Sequence, residues 1–233
     1  PSDVDSYKID HLSGDIVELV EALGYQDCRL IAHDWGGAVA WAVAMGHPDT
    51  LRSLMILNSP HPIPFARMLA NDSAQQQASR YMNMLRADGS EQELLANNCA
   101  LLLDKFRVPG LDNWLTPDVA TQYRAAWTVP GAMTGMVNYY RASPLYPPQG
   151  HDSGAAGIEL NPDNFKVAVP THVVWGVGDT ALLPGLLDGL DNLIHSLTVT
   201  RVDQASHWLI HERPELISQI INQFLSTKHG TSP

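Results

Sequence analysis

Between Cys28 and Pro48 the chain passes from a short apolar strand into an almost wholly apolar helix, with Asp34 at the junction. A strand that turns straight into a buried helix belongs inside an α/β sheet, so this stretch constrains the fold more than any other. Ala32 lies two residues before Asp34 and Gly36 two after. This is the small-x-nucleophile-x-small pattern of a strained elbow, in which a bulkier neighbour crowds the turn. The elbow lifts one side chain above the sheet beside a helix N-terminus, whose free N–H groups stabilise negative charge. A carboxylate there is ionised at neutral pH, since an unperturbed aspartate titrates at about 3.9, so it attacks without a base to deprotonate it. Attack forms an ester of the side chain, which suits an sp³ carbon carrying a leaving oxygen or halide, because water can then open the ester at its carboxyl carbon. Acyl transfer would want Ser or Cys instead. The plainer alternative is an aspartate that only caps a helix beginning near Trp35.

The remaining order of elements fits a parallel sheet with an insertion. From Tyr7 to Leu23, Ile9, Leu12, Ile16, Leu19, Val20 and Leu23 follow helical spacing, with Gly24 as the stop. The elbow strand and its helix come next, then a buried strand over Leu51 to Leu57, which completes a βαβ unit. Asn58-Ser-Pro-His-Pro-Ile-Pro64 reads as a break in regular structure. From Phe65 to Asn161 helical segments separated by Pro and Gly predict a lid, with helices near 74–86, 92–106, 117–126 and 131–140. Strands follow at 170–176 and 197–202, then a helix over 214–225 with Leu216, Ile217, Ile220, Ile221 and Phe224 on one face, and a frayed tail over 228–233. The expected division is residues 1–64 and 162–233 as core and 65–161 as lid.

With 25 Asp and Glu against 14 Lys and Arg, the formal charge of −11 argues against nucleic acid or an anionic membrane surface as partner. No apolar run approaches the roughly 20 residues of a membrane span and no signal peptide opens the chain, so a cytoplasmic protein is the default. Cys28 and Cys99 are read as buried free thiols, and the ten histidines show no metal-binding spacing. Neither a metal nor another cofactor is expected.

Asp34, Asp179 and His207 stand in the chain order nucleophile, acid, histidine, each just after a strand. Together with His33-Asp-Trp-Gly-Gly37, Asn58-Ser-Pro-His-Pro62, Asn138-Tyr-Tyr-Arg141, Trp175-Gly-Val-Gly-Asp179 and Ser206-His-Trp208 backed by Glu212-Arg-Pro-Glu215, they make the chain resemble the epoxide hydrolase branch of the α/β-hydrolases. The resemblance implies an α/β-hydrolase fold with a helical lid and hydrolysis of a small apolar epoxide by water to a diol. In it Asp34 is the nucleophile, His207 activates water, and Asp179 orients the histidine. The matching lid phenols, which would protonate the leaving oxygen, are Tyr81 and Tyr140, with Tyr139 as substitute for the second. The backbone N–H of Trp35 is one expected oxyanion donor. Each tyrosine also has the plainer reading of a ring packed between helices. His33, His61 and His211 are read as structural. A homodimer is left open.

Two departures from the family qualify these expectations. The strands that normally precede the elbow, and the His-Gly-x-Pro loop that supplies a second oxyanion donor, do not occur, so about four strands are expected, with the elbow strand at an exposed edge. A fragment of a longer protein, impaired in turnover, is therefore expected. The nearest rival is a haloalkane dehalogenase using the same aspartate, with Trp35 and either Trp114 or Trp127 donating to the halide; a pocket protein without turnover is a further alternative. Met82, Met84, Leu85, Leu101, Phe106 and Met133 suggest an adaptable apolar pocket.

Overall fold

A computed structural model describes residues 1–227, so the tail expected over 228–233 lies outside the described residues. Four parallel strands, β1 (Cys28–His33), β2 (Leu51–Leu57), β3 (Thr171–Gly176) and β4 (Leu197–Val202), lie side by side in sequence order. β2 is buried except at Arg52, as a strand covered on both faces requires. Alternate residues serve the two faces. Leu54, Ile56, Val173 and Trp175 meet Trp41, Val43 and Ala44 of α2 (Asp34–Gly46). Met55, Leu57 and Val174 meet Ile217, Ile220 and Phe224 of α10 (Pro214–Ser226). Leu216 turns away from that face and is 41% exposed. α1 (Ile9–Ala22) packs beside α2, with Ile16 and Val17 against the same cluster.

Strand β1 pairs with β2 alone among the described residues, and all six of its residues are partly exposed. The elbow strand is thus an edge strand. Its Arg29 donates to the carbonyls of Phe224, Leu225 and Thr227 and so caps the C-terminus of α10. Cys99 is buried, but Cys28, at the open start of β1, is only partly covered, which corrects the expectation for that thiol.

Between β2 and β3 lie α3 (Pro62–Asn71), α4 (Ser73–Ala78), α5 (Tyr81–Arg86), α6 (Ser90–Lys105), α7 (Pro117–Trp127) and α8 (Ala132–Ala142). α3 departs from the expectation, because the prolines of 58–64 read as breakers. Pro62 instead occupies the first helical position, where its missing N–H costs nothing, and the His61 ring caps the helix by accepting from the Ile63 N–H. The single helix expected over 74–86 is two: buried Gln75 bonds the Ala181 carbonyl and the Leu183 N–H across the molecule, and the chain turns before Tyr81. α6 is interrupted at 96–99, where Asn97, Asn98 and Cys99 take positive φ. Leu85, Leu94, Leu103, Trp127, Met133 and Val137 give these helices an apolar cluster of their own. Among the described residues no helix is long and apolar enough to cross a membrane, and no group of side chains could hold a metal ion.

Candidate active site

Asp34 opens α2 with φ +51°, a left-handed conformation that a non-glycine residue adopts at a cost of roughly 1–2 kcal/mol. The strain expected of an elbow is therefore present. The crowding is not where the small-residue pattern put it. A side chain at Gly36 would meet nothing within 4 Å, whereas a Cβ at Gly37 would lie 2.3 Å from that of Ser59. The tight approach thus joins the first turn of α2 to the loop after β2.

Asp179 follows β3, and His207 follows β4. Nδ1 of His207 lies 2.8 Å from Asp179 Oδ2, and Nε2 lies 3.3 Å from Asp34 Oδ1, so the imidazole bridges the two carboxylates. Asp179 is buried and fully hydrogen-bonded: its Oδ1 accepts from the N–H groups of Ala181 and Leu182, each at 2.8 Å, and its Oδ2 from Asn58 Nδ2 at 2.7 Å. Asn58 in turn accepts from the Gly176 N–H at 2.7 Å, which ties the ends of β2 and β3 together beneath the site. Gly176 admits the histidine loop, since a Cβ there would sit 2.3 Å from the Ser206 carbonyl oxygen. That loop is braced by Glu212 at the end of the short helix α9 (Leu209–Glu212), which accepts from the Ser206 N–H and hydroxyl, and by the His33 ring, 2.8 Å from the His207 carbonyl.

The charges follow from this geometry. Burial alone would raise the Asp34 pKa, but the hydrogen bond and charge of His207, with help from His33 and the Trp35 N–H, hold it at about 2. Burial alone would lower that of His207, and the two carboxylates outweigh it and lift it to about 10. The resting site is an imidazolium between two carboxylates. Although deep, the Asp34 side chain keeps 42% of its surface open, because it faces a cavity of about 520 Å³.

Tyr81, Tyr139, Tyr140 and Trp35 also line that cavity. Burial, and then the charge of Asp34, raises the pKa of Tyr140; burial, Tyr140 and Asp34 do the same for Tyr81, so both phenols stay protonated. Their rings stand edge to face at 6.0 Å, and Tyr140 also bonds the Trp35 side chain. Tyr139 is one step removed: its ring meets Tyr7 and Trp35, and its pKa is raised by burial, Tyr7 and Asp15. Trp114 and Trp127 do not line the cavity; they pack with Phe106 and Tyr123. Of the apolar residues expected around the pocket only Met82 reaches it, while Met84, Leu85, Leu101, Phe106 and Met133 fill the helical cluster.

A family model described as the alpha/beta hydrolase fold matches residues 1–214. The chain belongs to the α/β-hydrolase family. This hydrolase is 31% identical to the Bacillus subtilis AB hydrolase superfamily protein YfhM, over 98% of its own length and 76% of that protein. It is 28% identical to Epoxide hydrolase 1 of Caenorhabditis elegans and to Epoxide hydrolase 4 of Homo sapiens, spanning 54% and 59% of those proteins and 97% and 94% of its own length. Among solved structures it is similar to the Bacillus megaterium epoxide hydrolase in complex with an inhibitor, with TM-score 0.85 and 30% identity over 97% of this chain and 79% of that one.

The hydrolase thus gathers Asp34, Asp179, His207, Trp35 and the three tyrosines at one site and its cavity. Asn58 and Glu212, which hold Asp179 and the His207 loop, are given no expected role by the sequence, although both lie inside the motifs behind the resemblance. His33 is structural as expected, as are His61, 2.8 Å from the Phe165 carbonyl, and His211, stacked on Trp114. Arg86 has no sequence signal at all. From the end of α5 it donates to the carbonyls of Tyr140 and Ser143 at the end of α8, and its guanidinium lies 3.7 Å over the Tyr146 ring. It clamps the helix bearing Tyr81 to the helix bearing Tyr140. On the role proposed below for the two phenols, Arg86→Ala is expected to lower kcat about ten- to a hundredfold by misplacing them, with less change in KM; steady-state kinetics at fixed pH checks this.

Proposed function

We propose that the chain is an epoxide hydrolase that adds water to a small apolar epoxide through an alkyl ester on Asp34, with residues 65–161 acting as a lid over a core of 1–64 and 162–233. The observation that carries this reading is the bridge from Asp34 through His207 to Asp179, faced across an apolar cavity by two protonated phenols. The relatives named epoxide hydrolases support it. Because the chain spans less than two thirds of the animal ones, its activity as it stands is part of the proposal.

In the first step a carboxylate oxygen of Asp34 attacks an epoxide carbon and the ring C–O bond breaks. The leaving oxygen takes a proton from Tyr81 or Tyr140, and no stronger acid is needed because the donation occurs as charge develops. Ester formation removes the Asp34 charge, so the His207 imidazolium loses one of its two anionic partners and its pKa falls. The proton it releases balances the one the phenol gave. In the second step neutral His207 takes a proton from water, and the hydroxide attacks Cγ of Asp34. The Trp35 N–H, which already faces this carboxylate, steadies the oxyanion. Collapse expels the diol oxygen, which His207 protonates, and the carboxylic acid left on Asp34 passes its proton to His207, restoring the carboxylate and the imidazolium. Halide release would instead want N–H donors, and the absence of Trp114 and Trp127 from the cavity wall favours the epoxide reading.

The test is a single turnover of styrene oxide in heavy-oxygen water, followed by mass analysis of the Asp34 peptide. Label in that peptide supports the ester; diol formed without it overturns the mechanism. The pH dependence is a second test. Asp34, with its pKa depressed to about 2, stays ionised, so the ester-forming rate is expected to be flat across neutral pH and to fall only as pH approaches 2. Ester opening needs neutral His207 and is expected to rise with pH. Stopped-flow tryptophan fluorescence, with Trp35 beside the ester, resolves the two phases.

A further inference from the structure

Helix α2 is apolar on every side, yet one of its faces is only partly covered by protein. Val39, Ala40, Trp41, Val43 and Ala44 are buried, whereas Trp35, Ala38, Ala42 and Met45 are only partly covered and line the cavity. The spacing 35, 38, 42, 45 places these four on one stripe of the helix. From Asp34 at one end to Met45 at the other the stripe runs eleven residues, about 16 Å at 1.5 Å per residue. Its two middle positions are alanines, so the space beside them is open, and Pro62 and Phe65 of α3 also line the cavity.

We infer that this stripe is a slot for the apolar tail of the substrate, with Ala42 gauging the length that fits. The inference rests on the epoxide reading above. An apolar face left open inside a protein draws an apolar ligand, since each methylene that leaves water for that face favours binding. The cavity wall selects an uncharged tail. Besides Asp34, its charged side chains are Lys8 and Asp10, of opposite sign, and Lys8 already pairs with Asp5 at 2.9 Å. The substrate class is therefore a neutral epoxide bearing a linear alkyl tail, its ring at Asp34 and its chain along α2.

The experiment compares kcat/KM for decene oxide and propylene oxide in the whole chain. The wild type is expected to favour decene oxide at least tenfold, and Ala42→Leu, which blocks the slot two turns from Asp34, to lower that ratio at least tenfold. A folding defect lowers both rates together and leaves the ratio alone. Met45→Ala lengthens the slot and is expected to raise the rate with hexadecene oxide relative to decene oxide; it serves as the readout if Ala42→Leu does not fold. A wild-type ratio near one, or a ratio that neither substitution moves, overturns the inference. If neither epoxide yields diol, the catalytic reading fails by itself, and the slot is read from quenching of tryptophan fluorescence by decyl alcohol. Saturable quenching weakened tenfold by Ala42→Leu, or shifted in favour of hexadecyl over decyl alcohol by Met45→Ala, then supports the slot, and its absence overturns it.

Discussion

Asp34→Ala is expected to abolish diol formation, with kcat/KM at least about 10⁴-fold below that of the parent chain, because in the proposed mechanism the residue that forms the covalent intermediate has no substitute. The loss should not come from unfolding. The left-handed φ at position 34 remains strained with alanine, but the elbow is also held by the approach of Gly37 to Ser59 and by the bond from the Trp41 indole to the Ser59 carbonyl. Removing Asp34 also takes one of the two carboxylates from His207. The variant's imidazole should therefore titrate below the value of about 10 that the pair of carboxylates sustains. Diol production by gas chromatography and histidine titration by NMR check the two halves. Full activity in a folded Asp34→Ala protein would remove Asp34 from the chemistry.

His207→Gln is expected to separate the two halves of the reaction. The amide keeps a hydrogen-bond donor near Asp34, so the ester still forms, but no group remains to deprotonate water, and its opening should slow by about 10²–10⁴-fold. The Asp34 peptide should then carry the mass of one substrate molecule after mixing with styrene oxide, visible in intact-protein mass spectrometry. Rapid multiple turnover with no adduct would exclude His207 as the base. Stability responds as well. The folded-state pKa of His207 is raised, so its contribution is fully present below the unfolded value of about 6.5 and is lost as pH rises towards 10. The Tm advantage of the parent chain over His207→Gln should accordingly shrink between those two pH values.

The elbow, the four strands and the order of the three polar residues are legible in the sequence because each is written in a short stretch: a strand passing into an apolar helix, an apolar run, a turn after a strand. What is not legible depends on partners far away. Asn58 bonds Asp179 across 121 residues of chain, and Arg86 bonds the Tyr140 carbonyl across 54. No local pattern announces either. The start of α3 escapes for a different reason. Proline breaks a helix interior but suits its first turn, and only the cap supplied by His61 decides between the two. Trp114 and Trp127 show the same limit: as residue types they suit a halide site, and only their packing with Phe106 takes them from the cavity.

The groups of the site arrive one from each strand end: Asp34 after β1, Asn58 after β2, Asp179 after β3 and His207 after β4. Asp34 and His207 therefore belong to strands three apart among the described ones, about 14 Å at the usual strand spacing, and they meet because the loop after β4 reaches back over Gly176 while the strands between hold their places. Activity is in this sense a gauge of the whole sheet. Slippage or fraying at any one strand breaks the relay, so catalytic loss on gentle heating should coincide with cooperative melting of the sheet rather than precede it.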